Sequence, residues 1–456
     1  MKSGLLHRCA GSWLLLLLLP FLLGNCKKEW LNQKTNTNLA VPSTLSDFQT
    51  LMDNTDVMNA NSCGIGEIGS DGHLIVPSFW LLESGQEQNA YTWTHDKPNI
   101  VSYDWDDSYK RVAYCNVVLE GLQGISPAGS SDRQTWNAIR GNALFQRARS
   151  FFELAQVYAP AYGGVPLPGN WGIPLKLVSD IHAPTTRPAL SAVYDQVISD
   201  LLAAKDLLPL TVAYKTRASK PAAMALLARV YLAMEKYDQA FLYADSCLQF
   251  THSLLDYRVL QSSPDLYPAD KFNSEVIFHC TLFNWGNITV DAIMDSSLLA
   301  GYNSNDLRRS VFFRKGTYGT VFKGSYNKSA ILFSGLATDE MYLIRAECYA
   351  RSANTAAAKR DMDTLLMRRM DSFTPFVADD TNVLAKVLEE RQKELLLRGL
   401  RWTDLRRLNH NPVFARIITR LVNGQADTLL PNSFRYTFAI PDDIIQVSGI
   451  AQNPGW

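Results

Sequence analysis

KPAAMALLARVYLAMEKYDQAFLYADSCLQF, residues Lys220 to Phe250, carries the clearest architectural signal in the chain. Leu227, Ala228, Tyr231, Tyr237, Ala240 and Leu248 fall at the offsets of a tetratricopeptide-type helix pair. Ala228 and Ala240 are small where two antiparallel helices must approach. Tyr231 and Tyr237 fill the space on either side of the turn, and Glu235 takes the place usually held by a turn glycine. A second copy over Thr338 to Met370 puts Tyr342, Ala346, Tyr349 and Ala358 at equivalent offsets. The anchors Tyr231 and Tyr349 are 118 residues apart, so the pairs are not a tandem array. The intervening stretch, 252–337, has short β-prone runs such as Val276-Ile277-Phe278 among Gly, Asn, Ser and aromatic residues. It reads as irregular structure with short strands grown out of a helical scaffold, and so does 61–103.

Upstream, apolar residues at helical spacing predict helices over Trp105–Leu122, Trp136–Tyr158 and Val193–Leu208, the last stopped by Pro209. The fold expected is therefore mainly α, tetratricopeptide-like helix pairs with aromatic-rich inserts containing short β-strands.

The N-terminus carries a different message. Lys2 and Arg8 precede the apolar Leu14–Leu19, which Pro20 interrupts, and Gly24-Asn25 lead to Cys26. This predicts a secretory signal over 1–25 ending in a lipoprotein-type cysteine. The apolar stretch is too short to span a bilayer. Acylation of the Cys26 thiol and of the new N-terminus would give at least two chains, enough for stable anchoring. The competing reading is ordinary cleavage and a soluble periplasmic protein with a free thiol. Residues 26–44 are polar, lack apolar periodicity and read as an extended tether. Residues 45–456 read as a single domain.

Lys and Arg number 44, as do Asp and Glu, and this balance argues against nucleic acid as a partner. Cys63, Cys115, Cys247, Cys280 and Cys348 are scattered without a CxxC pair, and read as buried hydrophobes rather than a disulfide or zinc framework. Gly64-Ile-Gly66-Glu-Ile-Gly69 spells a dinucleotide fingerprint, but no apolar strand precedes it and no βαβ pattern follows, so it reads as a loop. The sequence has no H-E-x-x-H and no G-x-S-x-G. Asp106-Asp107 and Glu389-Glu390 are the carboxylate pairs an acid–base mechanism could use, yet nothing sets them across a cleft. Neither an enzyme nor a cofactor is expected.

Helical periodicity returns at Leu384 and leads into ERQKELLLRGLRWTDLRRLN, Glu390 to Asn409. Glu390, Glu394 and Arg398 are spaced for helix-face ion pairing, and Gly399 is placed to end the helix. The interleaved signs of Glu390, Arg391, Glu394, Arg401, Asp404 and Arg406 favour internal salt bridges over phosphate binding, with Trp402 buried among them.

This block closely resembles the hallmark of SusD/RagB-family lipoproteins, an acidic–basic helix followed by Gly-x-Arg-Trp-x-Asp-Leu-Arg-Arg, here Gly399 to Arg407. The resemblance extends to Asn142–Pro166, Lys220–Ala240, Ile440-Pro441 and Gln452–Gly455. It implies a lipid-anchored protein of the outer membrane, on the cell surface, acting as a lid over a SusC-like TonB-dependent transporter. Members capture oligosaccharides or, in some cases, peptides. Sugar C–H faces pack on aromatic planes, and the inserts supply Trp80, Trp93, Trp285, Tyr302, Tyr318 and Tyr326 as candidate ligand contacts. Trp285, flanked by Asn284 and Gly286, is the one expected to be exposed. A pure tetratricopeptide adaptor would not need the aromatic inserts.

Overall fold

Ser219 starts the helix that anchors the scaffold: its side chain accepts a hydrogen bond from the Ala222 amide, and Pro221 occupies the first turn. That helix lies at the middle of a series of neighbours. In a computed structural model describing residues 42–99, 103–164, 169, 171–285 and 292–456, the scaffold helices are α1 (Tyr103–Gly121), α2 (Ser130–Tyr158), α3 (Leu190–Leu207), α4 (Lys220–Ala233), α5 (Tyr237–Phe250), α6 (Thr338–Arg351) and α7 (Thr355–Leu366). Each packs on the next in sequence order, so α5 lies against α6 although 252–337 separates them. Residues 44–456 form one compact unit. Cys26 and nearly all of the 26–44 tether lie outside the described residues.

The two pairs superpose in their chemistry. Ala228, Ala240, Ala346 and Ala358 are all buried, as close helix approach requires. Glu235 has φ +57° and Ala353, at the equivalent turn, has φ +58°, so both occupy the left-handed region where glycine is usual. Tyr231 stacks on Tyr243, with centroids 5.6 Å apart, and Tyr349 meets Phe241 edge-on at 5.0 Å.

The inserts pair with one another. β1 (His73–Ile75) of the first runs antiparallel to β3 (Ala292–Met294) of the second. β2 (Val276–Phe278) pairs with β6 (Leu336–Ala337), β4 (Phe313–Lys315) with β5 (Thr320–Phe322), and β7 (Ile418–Val422) with β8 (Gln425–Leu429). The first insert is more helical than its texture predicts. The Gly64–Gly69 stretch is a short helix, Ile65–Gly69, not a loop.

The C-terminal block also departs from the prediction. Helix α8 (Val383–Glu394) ends five residues before Gly399, through a turn in which Leu397 and Gly399 are both left-handed, and α9 (Arg401–Leu408) follows. Arg398 therefore lies beyond the helix and does not pair with Glu394. It reaches Asp339 on α6 at 2.7 Å instead. Glu390 and Glu394 both grip Arg308, at 2.7 and 3.0 Å, and Arg369 bridges Glu394 to Glu275, both at 2.7 Å. Arg391 and Arg407 close on Asp404, and Arg407 also takes Glu347 on α6 at 2.6 Å. Arg401 reaches Asp71 in the first insert.

Trp402 sits beneath this lattice, stacked on Phe438 at 5.0 Å and tilted against Tyr436 at 4.9 Å. A methyl group added at Gly66 would lie 3.1 Å from Trp402, and one at Gly69 3.0 Å from it, so the glycines are there to admit the indole. Trp402→Ala should therefore leave a cavity and cost about 3–5 kcal/mol, read as a lowered urea midpoint at unchanged slope. An unchanged midpoint would show that the indole is not a core element.

Candidate functional site

Asp104, in the first turn of α1 and completely buried, organises the junction of the two inserts. One carboxylate oxygen accepts from the backbone amides of Gly64 and Ile65 at 2.9 and 2.8 Å, and the other accepts from Trp285 Nε1 at 3.2 Å. The amides that a dinucleotide phosphate would need are thus occupied by the protein's own anion. Burial raises the Asp104 carboxyl to about 7, against the pull of these three donors.

The indole of Trp285 is only 4% exposed, contrary to the exposure expected for it. The reason is its N–H, which finds a buried acceptor, while its ring edge fills the space left by Gly64, where a Cβ would come within 2.9 Å. What Trp285 supports is the exposed feature. Phe283 packs on it edge-on at 4.8 Å, and Tyr103 stacks on Phe283 with centroids 4.6 Å apart and planes 10° from parallel. Tyr103 is 48% exposed. Asp106 and Asp107 follow one turn along α1. Asp107 is held by Asn61 Nδ2 at 2.9 Å, Asp106 is exposed, and Asn284 is exposed beside Phe283. The result is an aromatic plane over a rigid floor, with carboxylates and amides at its border.

The other aromatics divide in the same way. Trp93 is buried and donates to the Gly69 carbonyl at 2.9 Å. Tyr302 is buried and donates to the Lys393 carbonyl at 2.8 Å, and Tyr326 donates to Glu275 at 2.6 Å. These three are interior pillars, because each polar tip reaches a buried acceptor. Tyr318, at the tip of the β4–β5 hairpin, is 59% exposed and meets Phe79 edge-on at 5.1 Å. Trp80 is half-buried beside Phe79, with Leu81 and Leu82 exposed next to it. This makes a second, smaller apolar surface. Tyr103 was missed in the sequence because it stands at the border of insert and helix. Only the position of Phe283 and Trp285 across a tertiary contact reveals it.

A cavity of about 600 Å³ lies between β1, α8 and β7. Asp71, Glu390, Lys393 and Arg420 line it, together with a buried His73 whose pKa burial lowers to about 3. Among the described residues no Phe, Tyr or Trp lines it, so these offer no plane for a sugar ring there. Glu275, Asp339 and Glu394 bring carboxylate oxygens within 4.8 Å of one another, the arrangement of a metal site. Arg369 and Arg398 already supply the counter-charge there. Among the described residues the five cysteines are free thiols, four of them buried.

Residues 29–232 match the family described as "Starch-binding associating with outer membrane", and residues 336–456 match the SusD family. The chain belongs to the SusD/RagB family. SusD-like protein P2 of Formosa agariphila is 28% identical over 207 residues, which is 45% of this chain and 36% of that protein. The match thus spans about a third of that relative's length. Among solved structures, a putative sugar-binding protein from Bacteroides vulgatus aligns over 91% of this chain and 100% of its own, with a TM-score of 0.75 at 19% identity. A SusD superfamily protein from Bacteroides thetaiotaomicron gives 0.75 at 20% identity, over 90% and 100%. A laminarin-binding SusD-like protein gives 0.65 at 19%, over 90% and 98%. These likenesses establish the SusD-like fold of helix pairs with irregular inserts.

Glu67, between the two glycines that face Trp402, is the second buried acid of this region. Burial raises its carboxyl from 4.5 to about 7, against the opposing pull of the Gly399 amide and Arg401, and its Oε2 has no hydrogen-bond partner. A raised acid keeps its proton in the folded chain where the unfolded chain has lost it. Its contribution to stability is fully present below about pH 4.5 and is lost as pH rises through about 7. Glu67→Gln, uncharged throughout, removes that dependence. The stability of the wild type relative to the variant should fall by a few kcal/mol between pH 4.5 and 8 in urea titrations. A difference that stays flat would show that Glu67 has an ordinary pKa.

Proposed function

We propose that this protein is a non-catalytic capture protein, anchored through lipid on Cys26 at the outer surface of the outer membrane. It binds neutral oligosaccharide on its aromatic surface and delivers it to a SusC-like TonB-dependent transporter. In this reading residues 1–25 are the leader, 26–44 the tether, and 45–456 the capture domain. The observation that carries the glycan reading is the exposed Tyr103 ring stacked on Phe283, with Asp106, Asp107, Asn61 and Asn284 at its border. Sugar rings present C–H groups on their faces and hydroxyls at their rims, and this surface offers a plane and hydrogen-bonding groups in that order. Trp285 serves as the floor, while Trp80 and Tyr318 form a second contact for a longer chain. The likeness to a laminarin-binding SusD-like protein supports the same reading.

Calorimetry of the mature protein against a panel of neutral oligosaccharides and mixed peptides, at low and high salt, tests this. Tyr103→Ala should weaken the bound oligosaccharide at least about tenfold, or roughly 1.4 kcal/mol, while leaving the melting temperature unchanged. Binding should be nearly independent of salt, because a neutral sugar has no charge to screen. Peptide binding with no glycan response across the panel would replace the glycan reading with a peptide-capturing one. Cys26→Ala should release the protein from the membrane fraction, and a native mature protein without acyl mass would refute the anchor.

A further inference from the structure

Five arginines lie between Arg391 and Arg407, and four of them meet a carboxylate: Arg391 on Asp404, Arg398 on Asp339, Arg401 on Asp71 and Arg407 on Glu347. Arg406 is buried, and among the described residues it meets none. Its two terminal nitrogens donate to the carbonyls of Ala155 and Gln156, in the last turn of the 29-residue helix α2, and of Ala159 just beyond it. The guanidinium caps that helix end. The end of a helix carries roughly half a negative charge, so the cap offsets only part of a full positive one. Burial lowers the pKa of Arg406 to about 10, with no carboxylate opposing it. Arg420, also buried among carbonyls, differs in being covered by the Tyr91 ring at 3.7 Å.

Next to Arg406 the interior is open. A cavity of about 40 Å³ lies between 160–164, 406–410 and 432–437. Arg406 Nε, Asn409 Nδ2 and Tyr436 Oη all belong to residues lining it and all are buried; Asn409 and Tyr436 interact with each other, but none of the three atoms makes a well-aligned hydrogen bond among the described residues. The Asn409 amide cannot simply be turned, because its Oδ1 accepts from the Arg416 amide at 3.1 Å. Three side-chain donors from two segments therefore border one cavity beside an incompletely neutralised cation. A water molecule there would have two hydrogens of its own to place, whereas an anion takes every donor and also supplies the missing charge. The volume suits one or two water-sized occupants.

The structure assigns to this cavity a small monovalent anion of about chloride's size, held by Arg406 Nε, Asn409 Nδ2 and Tyr436 Oη. The anion completes the cap of α2 and ties it to α9 and to residues 432–437. Crystals of the protein soaked in bromide test the site directly. An anomalous peak within hydrogen-bonding distance of the three atoms is expected, and ordinary water density without a bromide signal would overturn the assignment. In solution, replacing gluconate by chloride or bromide at constant ionic strength should raise Tm by about 1–2 °C by linkage. Arg406→Met removes the helix cap along with the anion and does not separate the two. Tyr436→Phe keeps the ring against Trp402 and loses only the hydroxyl, so Tyr436→Phe combined with Asn409→Ala is the informative variant. It should fold and lose the halide-dependent rise. A rise that persists undiminished in that variant would also overturn the site.

Discussion

The fold depends on a lattice of buried charges that joins what the chain order keeps apart. Arg308 and Arg369, both fully buried, bind Glu390, Glu394, Glu275 and Asp306, while Arg398 binds Asp339 and Arg407 binds Glu347. These contacts connect the second insert, helix α6 and the C-terminal block. Desolvating such charges is costly, and the cost is offset only when every member has partners of good geometry. Arg369 meets this condition fully: two carboxylates, the Leu255 carbonyl at 2.7 Å and the Tyr257 ring at 4.0 Å. Removing one partner of such a pair typically costs about 3–5 kcal/mol, because the other is left charged in the interior. The lattice therefore enforces one arrangement of insert upon scaffold rather than adding much net stability.

This explains which parts of the molecule could be read from the sequence. The helix pairs repeat on the scale of single turns, so Ala228, Tyr231, Ala346 and Tyr349 declare their roles through local spacing. The acid–base character of Glu390–Arg407 was equally legible, since interleaved signs on adjacent turns point to internal pairing. The partners were not. Glu394 and Arg398 satisfy the spacing of a helix pair, yet the helix stops at Glu394 and each side chain finds its counter-charge on another element. Spacing rules assume that the helix continues, and the left-handed turn at Leu397 and Gly399 breaks that assumption.

The Gly64–Gly69 stretch makes the same point about glycine. Three glycines in the dinucleotide spacing signal that something approaches the backbone closely, but not what approaches. Here it is Trp285 at Gly64 and Trp402 at Gly66 and Gly69, and the buried amides of Gly64 and Ile65 are met by Asp104. Anion binding at these amides, the physical content of the fingerprint, does occur, with a side-chain carboxylate from α1 as the anion.

The aromatic residues were the hardest to place, for a reason rooted in their chemistry. Trp and Tyr have an apolar body and one polar tip, so the same residue suits a wet surface or a core with a single acceptor. In Trp93, Trp285, Tyr302 and Tyr326 the acceptor is inside, and polar neighbours such as Asn284 say nothing about it. The consequence for the proposed binding surface is constructive. Tyr103 rests on Phe283, Phe283 on Trp285, and Trp285 on Asp104, which is fixed to the Gly64–Ile65 backbone. Asp104 is next to Tyr103 in sequence, so the chain of contacts closes on itself across both inserts. A plane held in this way loses little freedom when a ligand docks, and for a neutral ligand that offers no charge for long-range attraction, such preorganisation is a main source of affinity.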